Sequence, residues 1–426
     1  MKKIIIISIG LIIKSCIIYA QPNAKTDTLK IEILLKRIEI LEKKVNQQKS
    51  EDELQELLNH ANQLSAKEKE DEAGLSKKFH SGVRQQQGLN PNISIGGDFF
   101  GAVSTSKSDI VTDHSEFNFG NNGMHMRGLE MSFIAPLDPY ARGKAFLHLH
   151  EDAIEVEEAY MELLNLPFNT SLKVGKLYTE YGLLNRYHEH ALPQFDRPKV
   201  AVNYFGLEAL GGIGLSGNML LPKLLFADAS SFDFSFVEGG NNFSFTTERK
   251  MSFLYVGHFK NYYDLSESSY IEYTLSGVTG KNDTTANTNS YIGSFGIHYK
   301  WEPLGRSKYR TFDWKTEFYY GWVENPANTM ESKGFYTSVQ NKLNARFWIG
   351  GRIGYSELPY DNKQSEWDYT VCLDYWQSEF VFFRLQYQYN DRNITNMMNS
   401  LGKFPSEHSV VLQISWAMGP HKHEAY

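Results

Sequence analysis

The chain carries 43 Lys and Arg against 50 Asp and Glu over 426 residues, a formal net charge of -7, with two cysteines and 14% aromatic residues. This mild acidity argues against a nucleic-acid partner, and two cysteines, Cys16 and Cys372, cannot build a disulfide framework. Beyond the N-terminus no apolar stretch is long enough to cross a bilayer as a helix, so helical insertion is excluded.

Residues 1–20 read as a secretory signal. Lys2 and Lys3 form its charged start, Ile4 to Ile13 its apolar centre, and Tyr19-Ala20 a cleavage point before Gln21. Ser15-Cys16 invites a lipoprotein reading, but Lys14 stands where a small apolar residue is expected. Removal takes away three lysines and no acid, so the formal charge moves from -7 to about -10.

Residues 26–69 read as an α-helical coiled-coil segment. Ile31, Leu34, Ile38, Leu41 and Val45 recur at alternating spacings of three and four, and charged residues surround them. A second run, Leu54, Leu57, Ala61 and Leu64, is out of register with the first, which implies a stutter or a helical hairpin. Such a segment can be a solvated spacer or an oligomerising stalk. A polar linker over residues 70–88 follows.

From residue 89 to 426 the sequence changes character. Val410, Leu412, Ile414, Trp416 and Met418 fall on one face of an extended segment, with Gln413, Ser415 and Ala417 on the other. Phe318, Tyr320 and Trp322 likewise oppose Lys315 and Glu317, and Leu385, Tyr387 and Tyr389 oppose Arg384, Gln386 and Gln388. One greasy, aromatic-tipped face and one polar face on segments of about ten residues are what a membrane-spanning strand requires. About sixteen such segments can be counted. The expected fold is an all-β transmembrane antiparallel barrel preceded by the helical segment.

The connections give a topology. Tight turns recur at 136–139, 166–168, 221–223, 341–344 and 377–378, and longer polar loops are expected at 107–122, 180–203, 238–247, 281–288, 325–332, 358–365 and 391–406. Long loops outside and short turns inside place both barrel ends in the periplasm. Two segments break the pattern. The parity slip around Gly175 predicts a bulge there, and residues 154–163, with Glu155, Glu157, Glu158 and Glu162, lack clean alternation, so their faces cannot be assigned.

Three constellations could carry function. Residues 180–203 pack Glu180, Arg186, His188, Glu189, His190, Asp196 and Arg197 among apolar anchors, including Leu183, Leu184 and Phe195. This would be the third extracellular loop. It is either a solvated surface loop or a loop folded inward, where mixed charges set a field that selects solutes. His148 and His150 face the same way on a strand just before Glu151, His188 and His190 flank Glu189, and His421 and His423 flank Lys422 past the last strand. Paired imidazoles near carboxylates suit zinc or another borderline divalent metal, with a disordered tail as the alternative for the last pair. The bland alternative is polar lumen residues hydrogen-bonded to acids. Finally, Lys315, Arg346, Arg352 and Arg384 face the lumen by parity, as do Glu317, Asp368 and Asp374, so neither sign dominates. Cys372 faces inward and reads as inert. No nucleophile elbow or phosphate-binding glycine loop appears, so no enzyme is expected.

Residues 87–95 (QGLNPNISI), 156–160 (VEEAY), 174–185 (VGKLYTEYGLLN) and 194–198 (QFDRP), with the ending LQISW at 412–416, resemble a family of Gram-negative outer-membrane barrels. Its members are often labelled zinc-regulated TonB-dependent outer membrane receptors, or porin-like. The resemblance spans residues 87–426 and implies a single-chain porin-like barrel with a link to zinc supply. It departs from TonB-dependent receptors, because about 330 residues cannot hold a plug and 22 strands together. The expectation is an outer-membrane porin passing small hydrophilic solutes by diffusion, narrowed by residues 180–203, with no bound cofactor. A zinc or other divalent-metal transporter, or a structural barrel anchoring a coiled coil, are the alternatives. Expected partners are membrane lipid, solutes or metal ions, and a second copy of the chain through the coiled coil.

Overall fold

The computed structural model describes residues 91–105, 122–150, 153–240, 243–248, 252–395 and 406–419. The signal, coiled-coil and linker readings, with Glu151, His421 and His423, lie outside the described residues. The strands are β1 (Asn92–Ser104), β2 (Gly123–Asp138), β3 (Ala141–Leu149), β4 (Ile154–Leu166), β5 (Thr170–Tyr178), β6 (Gly211–Leu221), β7 (Ala229–Glu238) and β8 (Phe253–Ser266). They continue as β9 (Ser269–Asp283), β10 (Thr288–Trp301), β11 (Phe312–Glu324), β12 (Thr329–Lys342), β13 (Phe347–Leu358), β14 (Asp361–Trp376), β15 (Val381–Asn393) and β16 (Glu407–Met418).

Each strand pairs antiparallel with its sequence neighbours, and β1 closes on β16, so the sixteen form one closed barrel. Closure leaves no edge, which a sheet in hydrocarbon requires because no water is there to satisfy its backbone. Pairing of Ile95 with Met418 puts the two ends of the barrel chain at one rim.

Burial is inverted relative to a soluble protein. On β16, Leu412 is 45% exposed while Gln413 is 0% exposed, and the same alternation runs along β11, β13, β14 and β15. Apolar side chains therefore face outward and polar ones inward, which is stable only where the outer solvent is lipid.

The connections differ in part from expectation. The 281–288, 325–332 and 358–365 stretches are hairpins rather than loops: only residues 284–287, 325–328 and 359–360 separate the paired strands. Polar composition there marks where strands rise out of the apolar zone into water, and the ladder continues regardless. On the opposite rim the β10–β11 connection, residues 302–311, is longer than a tight turn.

The expected bulge at Gly175 is absent, because β5 pairs through it without a shift on both sides. Register shifts occur at several other places, and two of them bear on the inner wall. In β2, Arg127 is the extra residue between the Asp98–Gly128 and Phe99–Met126 pairs. In β4, Glu157 is the extra residue between Phe146–Glu158 and Leu147–Val156. The second explains why the 154–163 alternation could not be read: one inserted residue flips every side chain beyond it to the other face.

Candidate functional site

Residues 179–210, between β5 and β6, turn onto the inner wall. Gly182 donates its N–H to Ser276 Oγ on β9 (2.9 Å), and Leu183 to Glu317 Oε2 on β11 (3.2 Å). Gln340 of β12 donates to Pro193 O (2.7 Å), and Phe195 N–H donates to Gln386 Oε1 on β15 (2.9 Å). From the far side of the seam, Arg127 of β2 donates to Phe195 O (2.9 Å) with its guanidinium 4.0 Å from the Phe195 ring centroid. A short helix, α1 (Lys199–Phe205), starts after Pro198, stops at Gly206 (φ 88°) and packs on β12–β14. Its Tyr204 hydroxyl donates to Ser332 Oγ (2.7 Å). Tyr181, Leu184, Leu192 and Phe195 of the segment, and Val200 of the helix, are all buried.

Gly182 has φ 56°, and a Cβ there would run into the Glu317 carboxylate. Gly182→Ala is expected to cost roughly 1–3 kcal/mol of the seating of this segment. Thermal unfolding in detergent, with protease cleavage within 183–203, checks this; an unchanged profile would mean that the close approach is unimportant.

The charges foreseen from the sequence are mostly brought together here. Arg352 donates to Asp368 Oδ2 (2.8 Å), Asp196 O (2.7 Å) and Asp196 Oδ1 (3.0 Å). Burial pushes the Asp196 carboxyl up, but Arg352 and Lys199 outweigh it and hold it well below the usual range. Arg384 forms a fork on Asp374 (2.8 and 2.9 Å) and donates to Leu192 O (3.1 Å). Lys315 bonds Asp313 on its own strand. Arg197 donates to the carbonyls of Leu184 (3.0 Å) and Tyr187 (2.6 Å). Glu180 sits 3.3 Å from both Lys173 and Arg186. Burial raises its carboxyl, and the attraction of Arg186 and Lys173 brings it below the usual value. Arg346 stands apart: it is exposed in the β12–β13 turn and donates to the Tyr375 hydroxyl (3.2 Å). Parity alone placed it in the lumen; the strand begins one residue later.

The two histidine pairs converge, through carboxylates the sequence reading did not select. His188 Nδ1 lies 2.8 Å from Glu157 Oε2 and 3.5 Å from Glu130 Oε2, while its Nε2 lies 3.3 Å from Glu158 Oε2. His190 Nδ1 is 2.8 Å from Glu130 Oε2, and His148 Nδ1 is 3.3 Å from Glu157 Oε1. Burial lowers the proton affinity of His188, but Glu130, Glu157 and Glu158 together hold it well above the ordinary imidazole value. Gly128 (φ 150°) leaves the room that His148 occupies, for a Cβ there would strike the imidazole. His150 keeps its ring 4.1 Å from that of His148 and lies 4.0 Å from Glu155. The signal that could have found Glu157 and Glu158 was the broken alternation itself, four residues after the histidine pair's strand.

With 179–210 packed on β9–β15, open space remains on the other side. A cavity of about 500 Å³ runs beside β4–β8, and its lining includes five glutamates (155, 157, 208, 238 and 248) and one lysine, Lys176. A smaller one, sharing Glu155, Glu157 and Glu208, continues to His148 and Glu189.

No family model matches the chain. It is 27% identical over 299 residues to an uncharacterized protein of Aquifex aeolicus (strain VF5), a match covering 63% of this chain and 62% of that protein. The chain thus spans less than two thirds of the relative's length. Among solved structures, the anion-selective porin from Comamonas acidovorans is similar at a TM-score of 0.53 and 8% identity, covering 77% of this chain and 99% of that one. The outer membrane channel DcaP of Acinetobacter baumannii gives 0.51 at 11% identity, covering 78% and 97%. These likenesses establish the fold: a closed sixteen-stranded antiparallel barrel of the outer-membrane porin kind.

Proposed function

We propose that the chain is an outer-membrane channel that passes small hydrophilic solutes by diffusion, with its lumen narrowed by residues 179–210. The observation that carries this reading is the span of that segment across the barrel, from Ser276 on β9 at one wall to Gln386 on β15 and Arg127 on β2 beside the seam at the other. A loop merely resting on the rim would have no reason to accept hydrogen bonds from buried arginines on the far wall. Long connections outside would put both barrel termini in the periplasm.

The remaining path has a sign. Five glutamates against one lysine line the cavity beside β4–β8, and a cleft of one sign between low-dielectric walls concentrates counter-ions. Elsewhere on the wall, arginines are matched by Asp368, Asp374 and Asp196, so they add little net field. A cation preference follows. In planar bilayers the purified protein should give discrete conductance steps, and a KCl gradient should give a reversal potential of cation-selective sign. A silent barrel would overturn the channel reading, and anion selectivity would overturn the role given to the glutamates.

A further inference from the structure

We infer that Glu130, Glu157 and His188 form a binding site for a divalent transition-metal cation, set in the wall where the acid-lined cavity meets residues 180–203. One ligand atom from each of the three lies within 4.8 Å of the others. The donor set is one imidazole nitrogen and two carboxylate oxygens, suited to a borderline cation such as zinc or cobalt. Around a tetrahedral ion with bonds of about 2.0–2.2 Å, ligands stand roughly 3.3–3.6 Å apart. The 3.5 Å between His188 Nδ1 and Glu130 Oε2 already has that spacing, and the 2.8 Å to Glu157 Oε2 needs only a side-chain rotation to open.

The surroundings hold these ligands in the way metal sites do. His188 Nε2 faces Glu158 Oε2 at 3.3 Å, a carboxylate–histidine arrangement that orients the ring so that Nδ1 points at Glu157 and Glu130. Glu158 is itself pinned, accepting the Tyr178 N–H (2.7 Å) and Arg186 Nη1 (2.6 Å). His148 and His190 contact the two ligating carboxylates and orient them. Glu157 points inward because it is the bulged residue of β4, and a second bulge sits at Arg127 on the neighbouring strand pair. Bulges gather where a side chain must be re-aimed. A purely structural tie between loop and wall would need one ion pair; here three carboxylates converge on one histidine.

Titrating Zn²⁺ into the purified full chain in detergent tests this, with calorimetry for affinity and Co²⁺ ligand-field absorption for geometry. One equivalent should bind. His188→Gln and Glu157→Gln should each weaken binding at least about tenfold, and Glu158→Gln, which touches no ion, about 10–100-fold. Replacing His421 and His423 with alanine should leave the affinity unchanged. Retained heat resistance of the folded barrel identifies variants that fold, and Glu158→Gln supplies a readout if either ligand variant does not. Absence of binding, equal binding by the glutamine variants, or loss confined to the tail variant would overturn the assignment. None of these readings depends on conduction, so a silent barrel that binds zinc would sink the channel and keep the site.

Discussion

Replacing residues 183–203 with a short Gly-Ser linker is expected to raise single-channel conductance several-fold while the barrel still closes. The segment contributes no residue to the strand ladder, whose sixteen pairings run independently of it. What it does contribute is bulk on the inner side of the wall: buried Leu184, Leu192, Phe195 and Val200. Removing these exposes inner-wall side chains such as Arg384, Gln386 and Glu317, which are polar and accept water readily. The cost falls on polar groups that lose protein partners but regain hydration, so stability should drop far less than the change in conductance suggests. Recording the deletion variant beside the wild-type protein decides the matter, and equal conductance would remove the segment from the path.

Arg352→Met is expected to be the most damaging single substitution in the wall. Its guanidinium is fully buried and serves Asp368 and Asp196 together. Losing it takes the guanidinium from Asp368 and leaves Asp196 with Lys199, and removing one partner of a buried pair costs about 3–5 kcal/mol. The pH dependence has a definite sign. In the wild-type protein Asp196 is held below its ordinary value, so its contribution is complete above the usual carboxylate range and fades as pH falls through it. In the variant the same carboxylate has lost the stronger of its two cations and keeps only Lys199 (3.4 Å), so acidification relieves part of the damage. The wild-type protein should lose stability below about pH 4, while the deficit of Arg352→Met should shrink there. Unfolding in detergent at pH 4 and pH 7 measures both, and a deficit independent of pH would mean that charge is not the cause.

Most of the barrel was legible because period-two alternation survives in every strand with a regular ladder. Leu412 and Gln413, or Leu385 and Gln386, could be sorted into lipid and lumen from the sequence alone. The inward fold of 180–203 was legible as a choice between two readings, since apolar anchors beside charges are out of place on a surface loop. Parity failed at Arg346, where the strand ends, and at Glu157, where an inserted residue shifts the count. The histidine pairs were visible as spacing, but their partners were not. Glu130 lies on β2 and its register against β3 is a long-range fact, fixed by the Glu130–His148 pairing. Glu151, chosen for its nearness in sequence, lies outside the described residues, and the carboxylates that meet the histidines come from β2 and β4.

The seam between β1 and β16 sets a rule for how this protein can be made. Ten residue pairs, from Ile95–Met418 to Ser104–Ser409, join the first barrel strand to the last. Until they form, two rows of N–H and C=O groups lack partners, and in hydrocarbon each costs several kcal/mol. A half-built sheet therefore has no stable resting place in the membrane. Insertion and closure must be coupled, and a truncation that removes either edge strand should leave a chain that aggregates rather than a smaller pore.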